Sequence, residues 1–284
     1  FCKFCVVPYT RGAEFSRSFK ELILEAKQLV ENGAKEITLL GQNVNAYNFK
    51  KKRLSDLILE IAKIKDLKRI RYTTSHPTDF TDDLVEVYKN CEKLMPLIHL
   101  PVQSGSNKIL QEMNRKHTIE EYLNVIEKVK KVKQNVQFSS DFIIGYPGET
   151  HDDFKKTIEL LNSVKFINSY SFIYSARPGT PAFNLININH DDAKKRLMDF
   201  QQTAEKIKTT YRNNLINKIS KVLFENKTKN EKKYFGRDEY FNSVIVKSEN
   251  NLIGKIENVK ILEINQNTLF GKVISNFDRK NYAA

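Results

Sequence analysis

Two cysteines, Cys2 and Cys5, open the chain in the string FCKFCVVPYTRG. Their Cys-x2-Cys spacing is shared by iron-sulfur ligand loops, zinc half-sites and dithiol redox motifs, so spacing alone does not choose among them. Soft thiolates suit iron-sulfur chemistry, and a site-differentiated 4Fe-4S cluster takes three, leaving one iron open for a substrate or cofactor. Phe1 is not an initiator Met, so the first residue reads as an artificial or processed boundary, with the third ligand expected a few residues upstream. Zinc would need a second ligand pair. The remaining cysteine, Cys91, lies in the apolar-periodic stretch DDLVEVYKNCEKLM and reads as a small buried hydrophobe. The five histidines, His76, His99, His117, His151 and His190, show no paired zinc-ligand spacing. Three cysteines in 284 residues do not form a disulfide framework, which points to a reducing cytosol or organelle interior.

The elements that must position these groups follow from the hydrophobic pattern. With 40% apolar residues in 284, the chain can bury a large core and a smaller one. No apolar run has the length of a membrane span, so no membrane association is expected. Strand-like runs alternate with helical-period segments: EITLLGQN then LSDLILEIAKI, IRYTTSH then TDDLVEVYKNC, LIHLPVQSG then TIEEYLNVIEKVKKV, FSSDFIIGYPGE then DDFKKTIELLNSV, and finally SYSFIYSARPGT. With a first strand expected near CVVPYT, the count is about six strands in a parallel sheet or open barrel. In such folds reactive groups sit on loops after the strand C-termini. Here those loops read GQNVNAY, TSHPTD, PVQSGS, GYPGET and ARPGTP.

A long polar helix is expected over roughly 191–218. Beyond it, SKVLFENK, YFNSVIVKS, LIGKIENVKILEIN and LFGKVIS read as short strands of a small antiparallel barrel of five or so strands, joined by polar turns such as KNEKKYFGR that either serve RNA binding or are simply solvated. The net charge is +13, and the region 217–284 carries 13 Lys and Arg against 8 Asp and Glu, a net +5 in 68 residues. That is about twice the charge density of the preceding 216 residues, and it favours a polyanionic partner, nucleic acid first.

Several strings together exceed what spacing can give: CKFCVVPYTRGAEFSR, LLGQNVNAY, YTTSHPTDFTDDLVE, HLPVQSGSNKILQEMNRKHT, SSDFIIGYPGETHDDFKKT and YSFIYSARPGTPA. They resemble the radical S-adenosylmethionine methylthiotransferases that act on tRNA, over nearly the whole chain. The resemblance implies an α/β fold, an incomplete (β/α)6 TIM-like barrel over 1–212, followed by a small all-β, OB-like TRAM barrel over 213–284 that binds RNA. It implies a 4Fe-4S cluster on Cys-x3-Cys-x2-Cys, of which Cys2 and Cys5 are the visible metal ligands, and a second cluster on an amino-terminal domain that this chain does not contain. The implied reaction adds a methylthio group to C2 of isopentenylated adenosine beside the tRNA anticodon. One S-adenosylmethionine is cleaved to a 5′-deoxyadenosyl radical and a second donates methyl. Implied partners are the tRNA anticodon stem-loop and an electron donor such as flavodoxin or ferredoxin. A fragment without the first cysteine and the second cluster is expected to be inactive alone. Other readings are threonylcarbamoyl-adenosine as substrate, or a tRNA-binding fragment without catalysis.

Such a site must chelate the Met portion of the cofactor at iron, shield a radical and accept an unstacked base. On that logic Gly41, Gln42 and Asn43 offer close backbone approach and amides for the Met ammonium or carboxylate. Gln103 and Ser104 leave the fourth strand, and Arg115 offers a bidentate fork to the carboxylate. Asp141 is assigned to a ribose hydroxyl, and Ile143 through Gly145 to Gly148 form an apolar shelf and tight turn beside adenine. GYPGET equally reads as a turn into a helix whose first turn carries Glu149, Asp152 and Asp153, and Gln42 and Gln103 as amides satisfied by backbone.

Overall fold

A computed structural model describes residues 2–229 and 232–274, which divide into two compact units, Phe1–Ile207 and Lys208–Ala284. The first unit runs α1 (Val7–Arg11), α2 (Phe19–Glu31), β1 (Glu36–Leu39), β2 (Asn48–Phe49), β3 (Lys52–Arg53), α3 (Leu54–Ala62), β4 (Arg69–Tyr72), α4 (Asp82–Asn90), β5 (Leu97–His99), α5 (Asn107–Glu112), α6 (Ile119–Val132), β6 (Gln137–Ile144), α7 (His151–Val164) and β7 (Asn168–Ile173). The boundary between the units falls inside α8 (His190–Asn213).

The helices follow their apolar spacing. In α3, Leu54, Leu57, Ile58 and Ile61 recur at three- and four-residue intervals and are all buried. Thr118 and Thr150 start α6 and α7 through capping boxes with Glu121 and Asp153, satisfying amides that would otherwise lack partners. β1 pairs in parallel with β4, and β5, β6 and β7 form a second parallel set. A bridge between Ile70 and Leu94 joins the two sets into one open sheet.

The two faces of that sheet differ. On β6, Phe142 meets Phe166 edge to face and Phe200 at a tilt, on the side covered by helices. Alternation sends Ser139, Asp141 and Ile143 to the other face. On β4, Ile70 and Tyr72 enter the apolar cluster, while Arg69 and Arg71 lie opposite and share Glu36 of β1 at 3.9 and 3.0 Å. That other face is thus polar and largely paired within itself.

Two expectations are corrected here. The segment CVVPYT is not a strand: α1 occupies it, and the described residues supply five parallel strands, without one there. Pro8 stands in the first turn, where its missing N–H costs no hydrogen bond, and Gly12, at φ 75°, closes the helix by donating to the Pro8 carbonyl. The second concerns KNEKKYFGR, where Lys233–Arg237 is a barrel strand. Residues 230 and 231 of that stretch lie outside the described residues.

The second unit is a closed barrel of β8 (Ile219–Lys227), β9 (Lys233–Arg237), β10 (Ser243–Lys247), β11 (Ile256–Ile264) and β12 (Thr268–Val273), ordered β10-β12-β11-β8-β9. Val222, Phe224, Val244, Val246, Val259 and Ile261 fill its interior. Closure bends β8 and β11 at bulges near Phe224 and Ile261. A Cβ on Gly236 would collide with the Leu223 carbonyl, so β9 can approach β8 only with glycine there. Among the described residues, no helix is long and apolar enough to cross a membrane.

Candidate active site at the strand C-termini

Cys2 and Cys5 share a tight turn in which the Cys5 amide donates to the Cys2 carbonyl at 3.1 Å. Backbone hydrogen bonds fasten this turn on both sides. Lys3 N donates to Met113 O at the end of α5, and Ala182 N, after β7, donates to Lys3 O, each at 3.0 Å. Phe4 packs on a small cluster of Ile109, Met113, Tyr146 and Ala182. The thiols are therefore held at the C-terminal ends of β5, β6 and β7. Both are free and half-buried, whereas Cys91 is free and fully buried at the end of α4.

Arg115 follows the left-handed Asn114 that ends α5. Its Nη2 donates to Pro101 O at 2.7 Å and its Nη1 reaches Cys2 Sγ at 3.5 Å, while its buried Nε has no partner among the described residues. Next to it, the His76 and His117 rings meet edge to face at 5.7 Å. Burial, reinforced by the Arg115 charge, pushes both imidazoles down to about 3, so both are neutral at physiological pH. His76 Nδ1 is bonded to the Thr78 hydroxyl at 2.7 Å. His117 is 5% exposed, yet neither ring nitrogen has a hydrogen-bond partner among the described residues.

The loop after β1 is stitched to the loop after β4. Asn45 holds the His76 backbone from both sides, donating to its carbonyl and accepting from its amide, each at 2.8 Å. Asn43 Nδ2 donates to Asp79 at 2.6 Å, leaving a buried Oδ1 without a partner among the described residues. Gly41 and Gln42 are exposed beside it. All three border a cleft of about 520 Å³ shared with Arg11, Phe15, Arg17 and Leu40.

On the polar face, Asp141 lies 3.3 Å from His99 Nε2, and His99 Nδ1 meets the Ser139 hydroxyl at 2.9 Å. Gln103 takes a left-handed backbone, φ 78°, while its amide and carbonyl bridge Asp141 and Ile143 at 3.0 Å each. A non-glycine residue in that region carries strain that its neighbours must hold in place. Ile143 is half-buried on the same face. Gly145 turns at φ 73°, and its amide donates to Glu149 at 3.0 Å. Glu149 in turn pairs with Arg196 at 2.7 Å, and its burial raises the carboxyl above the ordinary range.

Ser104 is not brought to this group. It is 1% exposed, with its hydroxyl engaged by Thr157 of α7 and the Ser106 amide. The remaining expected residues line the strand ends: Cys2, Cys5 and Arg115 together, Gly41 to Asn43 at the cleft, Asp141 and Ile143 on the open face. His76, His117, His99 and Asn45 carry no role in the sequence reading. The placement of His76 in TSHPTD, directly after a strand, was the available signal. The described residues contain no group of three His, Cys, Asp or Glu side chains gathered to hold a metal.

Residues 1–161 match the radical SAM superfamily and residues 215–274 the TRAM domain. The chain is 57% identical over 284 residues to a protein of Pelagibacter ubique named tRNA-2-methylthio-N(6)-dimethylallyladenosine synthase, covering 99% of this chain and 64% of that one. A protein of the same name from Wolbachia pipientis is 50% identical, covering 95% and 63%. The chain thus spans just under two thirds of the length of these curated relatives. Among solved structures, a radical S-adenosylmethionine methyltransferase from Kitasatospora setae superposes with a TM-score of 0.54 at 15% identity, over 64% of this chain and 36% of that one. Coproporphyrinogen III oxidase from Escherichia coli superposes with a TM-score of 0.53 at 12% identity, over 98% and 70%. At those identities the likeness speaks for the fold alone. With the superfamily match covering more than half of its residues, the chain belongs to the radical SAM superfamily.

Proposed function

We propose that the parent protein transfers a methylthio group to C2 of isopentenylated adenosine in tRNA. The observation that carries this reading is the 57% identity, across nearly the whole chain, to a relative bearing that activity in its name. The same name on the Wolbachia relative favours the isopentenyl substrate over threonylcarbamoyl-adenosine.

The residues present fit the cofactors such a reaction uses. Cys2 and Cys5 offer two thiolates from one turn, and Arg115 keeps a buried N–H beside them that has no partner among the described residues. When bound, a 4Fe-4S cluster and S-adenosylmethionine supply one-electron chemistry that activates a substrate C–H bond. Cys2 and Cys5 would hold iron. Arg115 would lower the charge cost of gathering thiolates, and its buried Nε–H would be left to meet the Met carboxylate. Gly41, Gln42 and Asn43 border the space for the Met ammonium. Asp141, oriented by His99, would accept from a ribose hydroxyl, and Ile143 with Gly145 would pack against adenine and keep water out. The neutral His76 and His117 add no positive charge near the sulfur. The second unit, with its basic excess, binds the tRNA phosphates.

The test is nucleoside mass spectrometry of tRNA from cells with and without the full reading frame. Loss of 2-methylthio-isopentenyladenosine, with isopentenyladenosine accumulating, is expected. An unchanged profile overturns the reading, and loss of the methylthio derivative of threonylcarbamoyl-adenosine would reassign the substrate.

A further inference from the structure

In the second unit, the turn joining β9 to β10 is built around Asp238, which is 1% exposed. Its Oδ1 accepts from the amides of Tyr240 and Asn242 at 2.9 and 2.8 Å, and its Oδ2 accepts from Asn242 Nδ2 at 2.8 Å. This clamp leaves Phe241 at φ 66° and 45% exposed. A bulky residue in the left-handed region is costly where glycine or asparagine would rest without strain. The ring is also organised from below: Arg237 Cζ lies 4.1 Å from its centroid and 5.3 Å from that of Phe235. Glu225 fixes the same guanidinium at 3.5 Å.

A strained aromatic held out to solvent on a stacked cation is a prepared π surface in a region carrying 13 basic against 8 acidic residues. Its chemistry suits a planar base on an anionic backbone. Bases inside a duplex are already stacked, so the ligand is a single-stranded segment. We propose that Phe241, backed by Arg237, is a stacking site for one unpaired nucleobase of single-stranded RNA. The inference rests on the reading that the second unit binds RNA, and it adds the nucleotide class and the residues that take it.

The test uses the full 284-residue chain, a labelled octaadenylate, and a ribose-phosphate oligomer of equal length without bases. Phe241→Ala should weaken octaadenylate binding by about tenfold, at the scale of one lost base stack. The slope of log affinity against log salt should stay unchanged, because no phosphate contact is removed. Phe241→Gly guards against misfolding. Glycine accepts the left-handed backbone, so this variant should melt no lower than the parent and still bind octaadenylate as weakly as Phe241→Ala. The chain has no tryptophan, so Phe241→Trp places a sole reporter, whose emission should change with octaadenylate and not with the base-free oligomer. Parental affinity for octaadenylate in Phe241→Gly overturns the stacking site while leaving RNA binding by the unit intact. Failure of the parent to bind either oligomer overturns both the stacking site and the RNA-binding reading on which it rests.

Discussion

The two units solve opposite problems with a β-sheet. The barrel of the second unit closes on itself and fills its centre with Val222, Phe224 and Ile261, so anything it binds must be met on its outer surface. The sheet of the first unit stays open. Its inner face carries Glu36, Arg69, Arg71, His99 and Asp141, paired mostly with one another. An open sheet with a polar, pre-paired inner face is a place to put chemistry. A closed one with an apolar centre is a rigid mount for an external surface.

The contrast can be broken most severely from the apolar side. Phe224→Ala should cost the second unit ~3–5 kcal/mol, read as an earlier urea midpoint, because the closed centre cannot collapse around the hole. A loss below about 1 kcal/mol would mean the barrel is loosely packed. On the polar side, Glu36→Ala takes the shared carboxylate away from two buried arginines and should cost roughly 3 kcal/mol in the first unit. If Glu36→Ala is neutral, the inner face is solvated rather than braced.

A finer comparison lies at the cofactor end. Arg115→Lys replaces a fork by a point charge and cannot keep both the Pro101 and Cys2 contacts. Binding of S-adenosylmethionine to the full-length protein should weaken about tenfold or more, with iron content retained. Calorimetry showing parental affinity would reduce Arg115 to a support for the loop. The smallest effect is expected at Asp153. Burial pushes its carboxyl up, but hydrogen bonds from Ser106, Thr150 and Lys108 outweigh that and hold it well below the usual carboxylate range. A depressed folded value means that the stabilisation is complete above the unfolded value of about 4 and fades as pH falls toward the folded one. Asp153→Asn should therefore cost about 1 kcal/mol at neutral pH, and the gap to the parent should shrink below about pH 4. A gap that stays constant between pH 7 and pH 3 would show a cap that works without its charge.

The alternation of strands and helices was legible because the hydrophobic period switches between two and 3.6 at each boundary, as from β6 to α7. CVVPYT misled because β-branched residues argue for a strand, while Pro8 and Gly12, which start and stop a short helix, were the weaker local signal. KYFGR was hidden by its Asn- and Lys-rich surroundings, since Gly236 needs a neighbouring strand before its purpose is visible. The candidate site residues could be nominated one loop at a time. Their grouping could not: the contact of Arg115 with Cys2 spans 113 positions, and no local pattern reports it. Ser104 shows the converse, a polar residue in a polar loop whose nearest need was a hydroxyl on α7 rather than a ligand.

The fastening of the cysteine turn also has a temporal side. Lys3 is bonded through its backbone to Met113 and Ala182, so the beginning of the chain is held by partners more than a hundred residues away. Closing such distances is a late event in folding, because loop entropy must be met before the contacts form. On a ribosome these thiols emerge among the first residues of this region and are fixed among the last. They take their final spacing only once the strand after α7 is in place. Until then the turn that carries the two sulfurs lacks the two backbone contacts that fasten it, so their final placement is set by the sheet as well as by the turn itself.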